Sequence, residues 1–352
     1  MAKIIGFLIF CFPLLLWSKP INRDSILNLL PKKFNGQIAI KKNNNFIFRE
    51  NFGAKGIIHQ SPINDSTVFN IGQISHTIIF YLFEELFKKG EVQPEDSVYK
   101  YIPDLPYRNL QIKHLLEHQS GLPSSYVKLY HRKVYNNWNL KLSERSIRFD
   151  NEDIINILIK NDIKLNFSPG DSTAYSDLNY LILSSLIEKI THLSFSETTE
   201  FFFTQTLSFK PILSANTDTV FNKAYGYRVF SNSKFQLCEN LGSRGLPFDD
   251  GTYGNQHIYL SASNLANWGK YIFNKKYINA IKNSEKNETI GGIKYNKNLQ
   301  IISKTGAFGG TTSTLIFIPE NEIILAINTN KISTFNDNKS FNELIKYLQN
   351  LN

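Results

Sequence analysis

Serine and lysine residues are where nucleophilic chemistry would first be sought in this chain, because a serine hydroxyl needs a neighbouring base to act as a nucleophile. A lysine three residues after a serine lies on the same face of a helix. Random placement of 30 serines and 31 lysines among 352 residues gives about three such pairs. The chain contains three, none of which opens a predicted helix with an apolar face: Ser97/Lys100, Ser125/Lys128 and Ser231/Lys234. They predict no nucleophile.

Histidines supply a second candidate chemistry. His114 and His118 are four residues apart with Glu117 between them, a spacing that on a helix can bind a metal ion. Their position in a Leu-rich segment also suits a structural role, with Glu117 on the surface or accepting a local hydrogen bond. We predict no metal site and no cofactor.

The composition limits the class of protein. A hydrophobic content of 42% is enough for a substantial core, which excludes a disordered chain. The net charge of +9 is spread along the sequence, whereas a nucleic-acid surface needs a basic stripe on one face. Cys11 and Cys238 are too few for a disulfide framework. We therefore expect a folded protein that binds no nucleic acid.

The first 18 residues have the pattern of a secretory signal peptide: a basic start, an apolar stretch at residues 4–17 and the small Ser18. An apolar stretch of this length is shorter than the about 20 residues that span a bilayer. We predict a protein exported to the periplasm or the extracellular space, without a stable membrane span. Cys11 would leave with the signal peptide.

The elements that must position any site follow from periodicity. Alternating apolar residues on both sides of the turn at residues 43–45 predict a hairpin, and apolar residues every four positions predict a helix over residues 73–89. Further helices are predicted at 151–160, 178–190, 263–273 and 340–351, with Ser263 as an N-cap, and strands at 298–304, 312–318 and 322–328. Strands at both chain ends imply one sheet that joins the termini.

The most informative segment, residues 68–77, reads VFNIGQISHT and opens the first long helix. Here the chain resembles the serine β-lactamase and penicillin-binding-protein family, in its class C and esterase-like branch, which carries F-x-I-G-S-x-S-K at this place. Other segments match family patterns in the family's order: residues 101–103, 112–123 (IKHLLEHQSGLP), 167–180, 258–268, and Lys304-Thr305-Gly306. The resemblance extends over residues 34–348.

The resemblance implies an α/β fold of the β-lactamase and DD-peptidase type. An antiparallel sheet from both chain ends would be flanked by helices, with a mainly helical insertion at roughly residues 80–222. The cleft would lie between the two parts.

The chain departs from the family where the nucleophile and its base belong. Gln73 stands in place of the serine and His76 in place of the lysine. A glutamine amide cannot form an acyl-enzyme, and Ser75 lies on another side of the helix with Ile78 as its third neighbour. By family correspondence, an oxyanion hole made of the N–H groups of Gln73 and Ala307 could survive. His76 should be mostly neutral near pH 7.

Other positions match the family motifs. Tyr175 corresponds to the family's acid/base tyrosine, although it could simply anchor a turn, and Asp177 stands where the family has Asn or Asp. Lys304, Thr305 and Gly306 correspond to the strand residues that order the pocket and contact a substrate carboxylate, with Ala307 following. A cation there suits an anionic ligand.

Three interpretations of Gln73 and His76 stay open: loss of function by drift, a cleft retuned to bind without turnover, and different chemistry with His76 or Tyr175 as a base. Our leading hypothesis is an exported, catalytically impaired family member that binds a small-molecule or peptide ligand with a carboxylate. Cell-wall stem peptides are a candidate by family analogy. A hydrolase with an unorthodox base and a protein-interaction module are the alternatives. The sequence does not indicate an oligomeric state.

Overall fold

The computed structural model describes residues 21–58, 60–125, 150–161, 163–214, 219–229, 235–237, 251–273, 278, 290–331 and 338–351. The predicted signal peptide, Cys11, Cys238, Lys128 and the pair Ser231/Lys234 lie outside the described residues.

A six-stranded antiparallel sheet forms the base of the molecule, in the order β2-β1-β11-β10-β9-β8. Its strands come from both ends of the described chain: β1 Gly36–Lys42, β2 Asn45–Phe52, β8 Lys294–Asn296, β9 Ile301–Phe308, β10 Thr311–Ile318 and β11 Ile323–Thr329. β1 pairs with β11 over seven residues, so the pairing joins the two ends. The predicted sheet from both chain ends is confirmed.

Five smaller strands complete the described sheets. They form a three-stranded sheet in the order β3-β7-β4 and a separate pair, β5-β6. Their bounds are β3 Phe69–Asn70, β4 Ile212–Leu213, β5 Tyr227–Val229, β6 Phe235–Leu237 and β7 Ile258–Leu260. β3 leads directly into the segment that carries Gln73, so this small sheet fixes where the first long helix begins.

The helices lie on both sides of the main sheet. Their bounds are α1 Arg23–Leu29, α2 Ser75–Lys89, α3 Ile112–Leu116, α4 Asn151–Lys160, α5 Asp177–Thr191, α6 Phe195–Thr206, α7 Ala262–Ile272 and α8 Asn338–Gln349, with short 3-10 turns at Gly72–Ile74, Val98–Lys100 and Ile290–Gly292. The α/β class with helices flanking an antiparallel sheet is confirmed. No helix in these described ranges is long and apolar enough to cross a membrane.

Two apolar clusters hold these layers together. The larger one includes side chains of α2 and α5. Within it, Ile78, Ile79 and Phe83 of α2 are fully buried. The smaller one packs α1 and α8 on the opposite face of the sheet, around Ile345 and Leu348. Burying both faces of the sheet stabilises the domain by the hydrophobic effect, and it fixes α2 against β9.

The start of α7 differs from the sequence-based expectation. The helix begins at Ala262 and its N-cap is Ser261, whose side chain accepts a hydrogen bond from the Asn264 N–H. The prediction of Ser263 as the N-cap was therefore wrong. Either serine satisfies the capping preference for a short hydroxyl side chain, so composition alone did not separate them. Ser261 fits because its backbone is extended as it leaves β7.

Candidate functional site

The candidate site, which we call the cleft, begins where β9 crosses the 3-10 turn before α2, and glycine makes this crossing possible. A Cβ on Gly306 would lie 2.1 Å from the carbonyl oxygen of Ile71, and a Cβ on Gly72 would lie 2.5 Å from the Ala307 nitrogen. Gly72 also has a φ of +51°, which L side chains rarely adopt. The two main chains are therefore in direct contact, and their relative position is fixed.

The Gln73 side chain turns back across this contact. Its amide oxygen Oε1 accepts a hydrogen bond from the main-chain N–H of Ala307 at 3.0 Å. By family correspondence that N–H is one of the two oxyanion-hole donors. The Ala307 N–H is therefore already bound to a side-chain carbonyl of the same chain.

His76 lies one helical turn further on and is fully buried. Its Nε2 lies 2.5 Å from Oδ1 of Asn255, and the Nδ2 of Asn255 donates to the carbonyl of Asp177 at 2.8 Å. Because the side-chain N–H₂ group of Asn255 donates to the Asp177 carbonyl, the side-chain oxygen of Asn255 must accept from His76. The proton of His76 is therefore on Nε2, and Nδ1 carries a lone pair without a hydrogen-bond partner among the described residues.

The surroundings of His76 keep it neutral. Its ring stacks on Tyr180 with centroids 3.8 Å apart and planes 1° apart, and the His118 ring lies 5.8 Å away. Burial lowers the pKa of His76 well below its ordinary value, and electrostatic interactions with Lys304 and then with His118 lower it further, against a smaller opposing effect of the Asn255 hydrogen bond. His76 therefore cannot supply a cation at neutral pH.

Tyr175 and Asp177 form a hydrogen-bonded pair at the start of α5, whose first residue is Asp177. The Tyr175 hydroxyl donates to Oδ1 of Asp177 at 2.7 Å. Although 45% of the Tyr175 side chain is exposed, burial of the group and then the charge and hydrogen bond of Asp177 all raise its pKa above the ordinary value. The phenol therefore holds its proton firmly, which suits a hydrogen-bond donor or acid better than a base.

Lys304 is the cation of this region. It lies on β9, only 7% exposed, and its Nζ reaches the backbone beside Gly292, where a Cβ would come within 2.3 Å of it. Its charge acts on His76, which places the ammonium in the electrostatic environment of the cleft. Thr305 is exposed on the same strand, and its hydroxyl lies 3.2 Å from that of Thr314.

The remaining sequence candidates have other partners. The Ser75 hydroxyl is fully buried and donates to the Gly254 carbonyl at 2.6 Å, so it is unsuited to nucleophilic attack. His114 Nδ1 accepts from the Gln111 N–H in a capping box. His118 Nδ1 lies 2.8 Å from the Asn179 amide nitrogen. Among the residues that the structure describes, no cluster with the makings of a metal site occurs.

Three residues of the cleft were not foreseen from the sequence: Tyr180, Asn255 and Gly292. Tyr180 lies one helical turn after the Tyr175–Asp177 segment, and helical spacing could have placed it near the cleft. Asn255 and Gly292 lie in connections far along the chain from His76 and Lys304. Nothing in their local sequence indicated these contacts, because tertiary packing brings them there.

Comparisons with known proteins support the resemblance seen in the sequence. A family model described as Beta-lactamase matches residues 34–202. Penicillin-binding protein 4* of Bacillus subtilis (strain 168) is 25% identical over 258 residues, which cover 70% of this chain and 54% of that protein. A putative D-alanyl-D-alanine carboxypeptidase of Escherichia coli (strain K12) is 25% identical over 171 residues, 44% of this chain and 37% of that protein.

The fold comparison extends further. The structure of FmtA from Staphylococcus aureus superposes with a TM-score of 0.71 at 18% identity, covering 94% of this chain and 88% of that one. The chain resembles the serine β-lactamase and penicillin-binding-protein-like family in its family-model match, in its curated relatives and in its fold. It spans about half the length, or less, of the two curated relatives above. At this identity the structural likeness speaks for the fold alone.

Proposed function

We propose that this protein binds a peptide or small molecule through a carboxylate in the cleft and does not turn it over by acyl transfer. The observation that carries the proposal is the Gln73 side chain, which replaces the nucleophile and binds the Ala307 N–H with its own carbonyl oxygen. A ligand carbonyl cannot use that donor while Gln73 holds it. The substitution thus removes the nucleophile and fills part of the transition-state site.

Loss of the nucleophile has a large effect on acyl transfer. Removing the serine of a well-studied hydrolase lowers turnover roughly a million-fold, and the residual activity comes from the oxyanion hole and from substrate binding. In this protein the Ala307 N–H of the oxyanion hole is also bound by the Gln73 side chain. His76 is buried with a lowered pKa and Tyr175 holds its proton with a raised pKa, so neither is suited to the base of an unorthodox hydrolase.

The charge of Lys304 supports a carboxylate as the group that is recognised. A buried ammonium favours an anionic partner through a charge-assisted hydrogen bond, and the exposed Thr305 offers a hydroxyl on the same strand. One relative's name refers to D-alanyl-D-alanine, a dipeptide that ends in a carboxylate. For this chain we propose the same chemical class, a short peptide with a free C-terminal carboxylate, met outside the cytoplasm after export.

The proposal is tested by calorimetric titration of the mature protein with N-acetyl-D-alanyl-D-alanine and with the same dipeptide as its C-terminal amide. We expect the free acid to bind and the amide to bind at least about tenfold more weakly, because the amide loses a charge-assisted contact. The free acid should be recovered intact after the titration.

The substitution Lys304→Met should weaken binding of the free acid by about tenfold to a hundredfold, since a hydrogen bond to a charged group contributes about 1.5–3 kcal/mol. Lys346→Met, on the exposed face of α8, makes the same change in net charge and should leave the affinity unchanged. Equal affinities for the acid and the amide, or an unchanged affinity in Lys304→Met, would contradict the proposal. Either result is expected of a protein whose interaction surface lies outside this cleft.

A further inference from the structure

The Gln73 side chain has two polar ends, and only one of them is engaged. Its Oε1 accepts from Ala307, and its amide nitrogen Nε2 makes no hydrogen bond with any described residue. A primary amide nitrogen carries two N–H donors. The side chain is partly exposed, so these donors are open to solvent or to a ligand.

We propose that Gln73 relays the oxyanion-hole donor outward: the Ala307 N–H binds Oε1, and the Nε2 hydrogens bind one oxygen of the ligand carboxylate. The inference rests on the proposed function and names the group that takes the anion beside Lys304. The recognised group is a carboxylate held without covalent bonding. The carboxylate lies outside the former oxyanion hole, displaced from it by the length of the Gln73 side-chain amide.

The chain of hydrogen bonds explains why an amide suits this role. An amide whose oxygen accepts a hydrogen bond becomes a better donor at its nitrogen, since linked hydrogen bonds polarise one another. The crossing of Gly72 and Gly306 fixes the Ala307 N–H relative to Gln73, so the amide is oriented before a ligand arrives. An oriented donor loses less entropy on binding than a mobile one.

Charge also favours a carboxylate over a neutral carbonyl at this point. Lys304 raises the positive potential of the cleft, as its effect on the pKa of His76 indicates. His76 itself stays neutral and donates its one proton to Asn255. Gln73 therefore supplies N–H donors and Lys304 supplies positive charge, and both favour an anion over a neutral carbonyl.

The test compares substitutions of Gln73 that keep its size. Gln73→Glu keeps an oxygen for the Ala307 N–H but replaces the donors by a negative charge, and Gln73→Met removes both polar ends. We expect the affinity for N-acetyl-D-alanyl-D-alanine to fall at least about tenfold in Gln73→Met and further in Gln73→Glu, since charge repulsion adds to the lost hydrogen bond. Gln93→Glu, exposed after α2, makes the same charge change and should have no effect.

A second readout observes the amide itself. In nitrogen-15 NMR spectra, the side-chain N–H₂ signals missing from Gln73→Met identify Gln73, and they should shift when the dipeptide acid is added. If the wild-type protein binds the acid in a Lys304-dependent way but the Gln73 variants keep its affinity and the Gln73 signals do not move, the relay is wrong and the proposed function stands. If the wild-type protein does not bind the acid, both fail.

Discussion

The double substitution Gln73→Ser with His76→Lys is expected to give a protein that reacts covalently with penicillin, at least about a thousandfold faster than the wild-type protein. Loss of a serine nucleophile lowers turnover roughly a million-fold in a well-studied hydrolase. A gain of about a thousandfold would therefore recover only part of that loss. The change would free the Ala307 N–H from the Gln73 amide and restore an ionisable base one turn from a hydroxyl.

The rest of the cleft favours this outcome. Asn255 Oδ1, which accepts from His76 at present, can accept from the introduced ammonium. Burial and the charge of Lys304 lower the pKa of His76, and they would act on a lysine in the same direction, toward the neutral amine that a base requires. The glycine crossing that fixes the main-chain donors is untouched.

Labelling with a fluorescent penicillin, resolved on a denaturing gel over time, measures the reaction. The matched controls are the two single substitutions: Gln73→Ser alone has a hydroxyl without a competent base, and His76→Lys alone has a base without a nucleophile. Both should label much more slowly than the double variant. A folded double variant that does not label would show that further cleft residues have lost their catalytic arrangement.

Acidification should destabilise the protein through His76. Its pKa is lowered in the folded state from an ordinary value of 6.5, so below that pH the unfolded chain binds a proton that the folded protein does not. Stability is then complete above about pH 6.5 and falls as the pH decreases toward the folded-state pKa. Below about pH 6.5, one such group lowers the free energy of unfolding by at most about 1.4 kcal/mol per pH unit, until the folded-state pKa is reached.

Urea unfolding at a series of pH values tests this coupling. His76→Phe keeps an aromatic ring beside Tyr180 but cannot titrate, so its free energy of unfolding should fall less steeply than that of the wild-type protein as the pH decreases below about 6.5. His192→Asn is the matched control, because His192 is exposed and has a φ of +58° that Asn tolerates. If His76→Phe and the wild-type protein have parallel pH profiles, His76 is not buried as a neutral side chain.

Much of the fold could be predicted from the sequence because its periodicities are strong. The hairpin β1–β2 and the helices α2, α4 and α5 lie within a few residues of the predicted ranges. Gly90 ends α2 in a left-handed conformation, which glycine adopts without strain. The short strands β3, β4 and β7 were not predicted, since runs of two or three residues carry no measurable alternation.

The candidate site was predictable only in part. The motif positions of Gln73, His76, Tyr175 and Lys304 followed from the resemblance, and the expectation of a neutral His76 followed from the ordinary pKa of histidine. The direction of the Gln73 side chain did not follow, because a glutamine at a helix start can point to solvent as easily as to Ala307. The buried contact between His76 and Asn255 joins residues 179 positions apart, a separation at which one sequence carries no pairing signal.

The most direct test of the central claim is the intact mass of the wild-type protein after incubation with excess penicillin and, separately, with N-acetyl-D-alanyl-D-alanine under conditions where calorimetry detects binding. A cleft that binds without acyl transfer predicts an unchanged protein mass and an unhydrolysed dipeptide. A protein mass increased by one penicillin, or release of D-alanine that Lys304→Met abolishes, would contradict the claim that Gln73 has ended covalent chemistry in this cleft.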